Sequence, residues 1–171
     1  MPGEPSDPTD GEPEFVTRRT NSHGAPARWA FMERIDVPDY DDPERNYLTR
    51  WRLVQTPLFA IYLHRFDGPD PRPTLHDHPW PFASIVLAGG YDERRTYATD
   101  PAVKVRRLNV KRATDLHWIT RLHRTPTWTL MLVGRRRRDW GYLDPDGTWT
   151  RFDRHPHDQE FRAAMERRHR G

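Results

Sequence analysis

Residues 75–91 read LHDHPWPFASIVLAGGY. His76 and His78 flank Asp77, a Pro-Trp-Pro corner follows, and an apolar run ends at Gly89-Gly90. Side chains at i and i+2 of a β-strand point to one face, so the stretch predicts a short strand that presents both imidazoles to the same space. Proline has no backbone donor and ends strand pairing, so Pro79 and Pro81 turn the chain into a second strand over 82–88. FASIVLA is apolar enough to predict a strand buried on both faces, closed by a tight turn at the glycines. Two same-facing histidines are half of a metal site, or they stabilise a proline-rich corner.

Working outward, short strand patterns dominate. Residues 51–66 (WRLVQTPLFAIYLHRF) predict two strands, with Phe59, Ile61 and Leu63 on one face and Tyr62, His64 and Phe66 on the other. DGPDPRP over 67–73 is a turn. Tyr91–Tyr97, VKVRRLNVK (103–111), DLHWITR (115–121) and TWTLMLV (127–133) predict further strands, and Trp140–Phe152 predicts a hairpin turning at DPDG. Helical composition is confined to DQEFRAAMERRH, 158–169. Many short strands punctuated by Gly and Pro predict an all-β barrel or sandwich.

The ends differ in character. Residues 1–27 are rich in Pro, Gly, Asp, Glu and Ser without an apolar period, which predicts a disordered tail. Residues 28–50 predict an irregular extension with a short helix or turn near Pro43–Leu48. The barrel is expected over 51–153, and a linker and helix over 154–171.

Composition bounds the chemistry. The chain has 171 residues and no cysteine, so disulfides, thiolate ligands and Cys nucleophiles are excluded. Any metal must be held by His, Asp or Glu. Mean hydropathy is −1.01, yet seven Trp, seven Phe and six Tyr supply core material, each aromatic burying roughly 150–250 Å². The net charge is only +3, and the pI of about 9.5 comes from arginine, since Lys104 and Lys111 are the two lysines. Nucleic acid is therefore not an expected partner, and the run Arg135–Arg138 reads as a solvated turn. No apolar run approaches the roughly 18–20 residues of a membrane helix, and a cytoplasmic location is expected. Phosphate loops, dinucleotide fingerprints and serine nucleophile elbows are all missing.

His117 gives the HxH pair a partner. If a jelly roll folds its strand onto the same interior, three imidazoles converge on one ion, a donor set that suits Zn, Fe, Cu, Ni or Mn. His64, sharing a face with Tyr62 and Phe66, is either a cavity-lining general base or a hydrogen-bonded core residue. Glu93 is either a site carboxylate or a solvated strand residue. Asp77, facing away from the histidines, reads as structural. His155 and His157 form a second HxH beyond the final hairpin and read as linker.

LHDHPWPFASIVLAGGY resembles the first motif of the cupin superfamily, and DLHWITRL occupies the place of the second. The surrounding pattern (YLHRF, GGYDE, PTWTLMLVG, DWGYLDPDG) is similar to small cupin-like proteins of actinobacteria and their phages, over about residues 48–152. The resemblance implies a single cupin jelly-roll β-barrel of the RmlC-like type, with His76, His78 and His117 on the three metal-binding histidines. The family's glutamate ligand has no counterpart, since Phe82, Ala83 and Ser84 stand in its region. Glu93 is the candidate carboxylate to replace it; otherwise the centre has three histidines, or no metal.

The implied cofactor is a divalent metal: Fe(II), Mn(II), Ni(II) or Zn(II). The implied function is a metal-dependent dioxygenase or isomerase acting on a small-molecule substrate. One alternative is a metal-free cupin like the sugar-nucleotide epimerases, pairing His64 or His76 with Tyr62 or Tyr91 and receiving a phosphate on Arg65 or Arg72. Another is a non-enzymatic cupin that binds a small ligand. A homodimer through edge strands is compatible with all three.

Overall fold

The computed structural model describes residues 33–170, so the predicted tail over 1–27 lies outside the described residues. From Glu33 onward, among the described residues, twelve strands, all paired antiparallel, precede one C-terminal helix. β1 (Glu33–Pro38), β2 (Asn46–Gln55) and β3 (Ala60–Phe66) run in sequence as a meander. β4 (Leu75–His76) is followed by β5 (Phe82–Ala88), β6 (Tyr91–Arg94), β7 (Val103–Val105) and β8 (Leu108–Lys111). β9 (Trp118–Leu122), β10 (Thr127–Val133), β11 (Gly141–Leu143) and β12 (Trp149–Arg151) complete the set.

One layer is a six-stranded sheet in the order β1-β2-β3-β10-β5-β8. The other consists of two three-stranded sheets, β12-β11-β4 and β7-β6-β9. A single antiparallel bridge, His76 to His117, joins these two sheets. The layers share one core: Val37, Leu48 and Phe66 of the large sheet pack with Tyr91, Val105 and Ile119 of the small ones.

Period-2 alternation sorts the large sheet into an inner and an outer face. Along β3 the inward residues are Ala60, Tyr62, His64 and Phe66, all buried. Ala60 and Tyr62 belong to one apolar cluster, with Phe82 and Val133, and Phe66 belongs to the other. His64 lies between them. The interior is therefore apolar at both ends and polar in the middle.

Several expectations need correction. Residues 33–38 and 46–50 are strand, not irregular extension; only the turn at Pro43-Glu44 falls where it was predicted. Alternation in ERIDV was masked by the flanking Pro and Asp residues. Asp36 on the outward side accepts from Thr49 Oγ1 at 3.1 Å and so ties β1 to β2. The stretch 103–111 is two strands, which break at Arg106-Arg107 and join different sheets.

β5 is not buried on both faces. Ile85 and Leu87 are exposed, and with Leu108, Val110 and Leu132 they make the outer face of the sheet apolar. The turn at Gly89-Gly90 carries the chain from one layer to the other. Gly89 has φ +87°, and a Cβ there would lie 2.4 Å from Thr127 Oγ1, so both backbone and space require glycine.

The C-terminal helix, α1 (Pro156–Arg170), starts on a proline whose missing N–H would be unpaired at that position anyway. It lays Phe161 against the larger core cluster. His155 and His157 are not a loose linker. Their rings pack on Tyr142 at 4.5 and 5.1 Å, and His157 Nε2 lies 2.7 Å from Thr74 Oγ1.

Candidate metal centre

The site begins with backbone pairing. His76 N–H donates to His117 O, and His117 N–H donates to His76 O, both at 3.0 Å. Residues that exchange both bonds in an antiparallel pair place their side chains on the same face. Their rings lie 4.8 Å apart, centre to centre. His78 stands just beyond the end of β4 rather than within it, its N–H donating to Ala113 O at 3.1 Å. Its Nε2 comes within 2.8 Å of His117 Nε2. One ring nitrogen from each of the three histidines lies within 4.8 Å of the others, so the group could hold a metal ion.

Asp77 explains why the chain can keep two histidines so close. It is buried and faces away from them. Its Oδ1 accepts from Gly141 N–H at 2.8 Å, and its Oδ2 accepts from Trp149 Nε1 at 3.1 Å and from Arg138. The last residue of the Arg135–Arg138 run is thus part of the fold and not only a solvated turn. These contacts fix the residue between the two imidazoles to β11 and β12.

Behind His117 lies Glu93, fully buried on β6. Its Oε2 accepts from His117 Nδ1 and from Asn109 Nδ2, each at 3.0 Å. Its Oε1 accepts from Lys111 Nζ at 2.8 Å and from Arg95 Nε at 2.7 Å. Burial pushes the Glu93 carboxyl up, but the hydrogen bonds and charges of His117 and Lys111 outweigh it and hold the group well below its ordinary value. Glu93 is therefore an anion at neutral pH. Burial pulls Lys111 down, with Glu93 opposing. With His117 Nδ1 committed to a carboxylate, Nε2 is the nitrogen left facing His76 and His78. That is the carboxylate–histidine arrangement that fixes the tautomer of a metal-ligating imidazole.

Two of the donors, His76 and His78, favour the neutral form. Burial, and then the neighbouring His117, push His76 down to about 3 and His78 well below its ordinary value. Both rings are half-buried by surface, yet enough protein surrounds them to disfavour the imidazolium. Neutral imidazole is the form that binds a cation. The residues present fit a divalent ion.

Sequence reasoning missed the residues that hold Glu93. Asn109 and Lys111 come from β8 of the opposite layer; the one available signal was their i, i+2 spacing on a strand. It also missed Asp70, whose Oδ2 accepts from Ile119 N–H at 2.6 Å. Burial pushes the Asp70 carboxyl up to about 6.

The groups named for metal-free proton transfer are less suited to it. His64 is pushed down to about 3 by burial and by Arg50, which makes it a poor base. Tyr91 is pushed up to about 12 by burial, and its hydroxyl accepts from Asn109 Nδ2 at 3.0 Å. Arg65 and Arg72 are held by Asp67 and by Asp41 and Glu160, away from the interior. The inward-facing arginines are Arg50 and Arg52, cross-strand partners of His64 and Tyr62.

No protein-family model and no curated protein sequence matches the chain. Solved structures do. A cupin-2 domain protein of Rhodospirillum rubrum superposes with a TM-score of 0.50 at 15% identity, covering 72% of this chain and 82% of that one. KdgF from a Halomonas species gives 0.46 at 17% identity over 63% and 96% of the two chains. An RmlC-like cupin of Shewanella frigidimarina gives 0.45 at 14% identity over 65% and 93%. At 15% identity, the likeness to the Rhodospirillum rubrum protein is one of fold alone.

Asp70 generates a pH test. Its folded value of about 6 lies above the ordinary 3.8, so the folded state binds this proton more tightly. The stabilisation is complete at low pH and is lost as pH rises through about 6. Asp70→Asn keeps an oxygen for the Ile119 N–H. It should raise stability at pH 8 by up to about 3 kcal/mol, with the gain shrinking as pH falls toward 4. Urea denaturation across that range checks both the size and the sign.

Proposed function

We propose that this chain, whose fold is that of the cupins, is a metal-dependent enzyme acting on a small molecule. His76, His78 and His117 would hold one divalent ion: Fe(II), Mn(II), Ni(II) or Zn(II). The observation that carries the reading is the convergence of three imidazole nitrogens backed by the buried Glu93. A metal held by three protein ligands supplies a Lewis acid or redox centre with positions left open for substrate. Chemistry of the oxygenase or isomerase type fits such a centre.

The chain's own residues divide the work. Glu93 orients His117 by holding its Nδ1, which leaves Nε2 toward the other two histidines. Both its oxygens are already engaged, so we assign it a positioning role instead of the ligand or catalytic role anticipated from the sequence. Asp77 sets the spacing between His76 and His78. His64, neutral and buried on the facing sheet, is placed to bind substrate and not to carry a proton.

Elemental analysis after anaerobic loading with each of the four metals is the test. Wild type should retain about one equivalent of at least one metal. His76→Ala and His117→Ala should retain little. Glu93→Gln keeps the size but lowers the basicity behind His117, and should weaken metal affinity about 10–100-fold. Wild-type protein that retains none of the four metals overturns the reading.

The exposed apolar face of β5 and β8 supports self-association through the β8 edge. Sedimentation should then show a dimer that Leu108→Lys converts to a monomer. A wild-type monomer at high micromolar concentration contradicts this assembly.

A further inference from the structure

We propose that Arg50, His64 and Thr129, the middle row of the six-stranded sheet, form a carboxylate-binding subsite that faces the histidine triad. The inference deepens the metal-enzyme reading by naming the substrate class: a small organic acid. It starts from register. Arg50 on β2 pairs directly with His64 on β3, and His64 pairs directly with Thr129 on β10, so the three side chains stand side by side on the inner face.

Each brings a buried polar atom that no group of the described residues satisfies: Arg50 Nε, His64 Nε2 and Thr129 Oγ1. His64 is 5% exposed and Thr129 is 1% exposed. A buried unpaired polar atom costs roughly 1–3 kcal/mol, and native structures carry few. Three adjacent ones, on one row of one face, mark a place where something polar binds. Other arginines show the contrast. Arg65, Arg72, Arg121 and Arg138 each pair with a carboxylate of the chain, whereas Arg50 pairs with none among the described residues.

The row looks toward the triad. Phe82, in one apolar cluster with Tyr62, lies 4.9 Å from the His78 ring and 6.0 Å from the His117 ring, centre to centre. Tyr62 and Phe66 flank His64, with ring centres 5.9 and 5.7 Å away, and give the polar row apolar walls.

Charge selects the ligand class. Arg50 offers one unpaired positive charge, and Thr129 and neutral His64 add hydrogen bonds but no charge. The row thus balances one negative charge. A phosphate dianion would need a second free cation, but Arg52 is bonded to Glu33 at 3.0 Å and Lys111 to Glu93 at 2.8 Å. The Nε–Nη edge of a guanidinium matches the two oxygens of a carboxylate. The acid group is held on the sheet, and the rest of the molecule extends toward His76, His78 and His117.

Ligand-observed NMR titration of the full chain tests this, at constant ionic strength and in both metal-free and metal-loaded forms. Probes are propionate and benzoate, their neutral amides, and inorganic phosphate. Wild type should bind at least one carboxylate in either form, and its amide and phosphate about tenfold more weakly or worse. Arg50→Met should weaken carboxylate binding about tenfold or more, the loss expected of a charge-assisted hydrogen bond, and Thr129→Val by a smaller factor. Thr129→Val removes an unsatisfied hydroxyl without changing shape, so it should fold with unchanged or higher thermal stability.

Binding that depends on Arg50 but persists in His117→Ala supports the subsite even if the metal reading fails. Binding lost in His117→Ala but indifferent to Arg50→Met overturns the subsite and leaves the metal reading standing. Equal affinity for amide and carboxylate, no carboxylate binding at all, or a stability loss in Thr129→Val with unchanged binding also overturns it.

Discussion

A carboxylate with no exposed surface is the constraint around which this interior is arranged. Glu93 stays ionised because His117, Asn109, Lys111 and Arg95 together satisfy both oxygens. Isolated, such a charge would be intolerable in the core; paired and hydrogen-bonded, it becomes a rigid fixture. Its partners come from two layers: Lys111 and Asn109 from the large sheet, His117 from the residue just before β9. The ion pair therefore sets how the layers meet, and it orients His117 at the same time. Loss of one partner would leave a buried charge uncompensated, which is why so many donors crowd one side chain.

The second organising feature is the mutual backbone pairing of His76 and His117. It joins two small sheets that would otherwise be separate, and it places two imidazoles on one face as a consequence of strand geometry. Structure and candidate chemistry share the same two residues. Asp77, tied to β11 and β12, continues that arrangement by holding the chain between His76 and His78.

Much of this was legible in the sequence, for reasons that can be named. The HxH spacing and the later His117 declare themselves because strand period is strict and each lies in or beside a strand-forming run. The final hairpin, the Gly89-Gly90 turn and the C-terminal helix follow from local turn chemistry and composition. What could not be read was who stands opposite whom. Glu93 read as a candidate site carboxylate or a solvated strand residue because its partners Asn109 and Lys111 arrive from a strand of the other layer. Arg50 looked like part of an irregular extension because Pro and Asp residues nearby obscured β1 and β2. The apolar run of β5 predicted two-sided burial, yet its outer residues Ile85 and Leu87 are exposed. Period-2 patterns assign faces; they do not say what covers a face.

The central claim is that three histidines bind the ion while Glu93 supports them from behind. X-ray absorption spectroscopy of the metal-loaded protein addresses it most directly. The account predicts a first shell containing three imidazole nitrogens at about 2.0–2.2 Å, unchanged in ligand number when Glu93 is replaced by Gln. A carboxylate oxygen in the first shell of wild type that disappears in Glu93→Gln would contradict it.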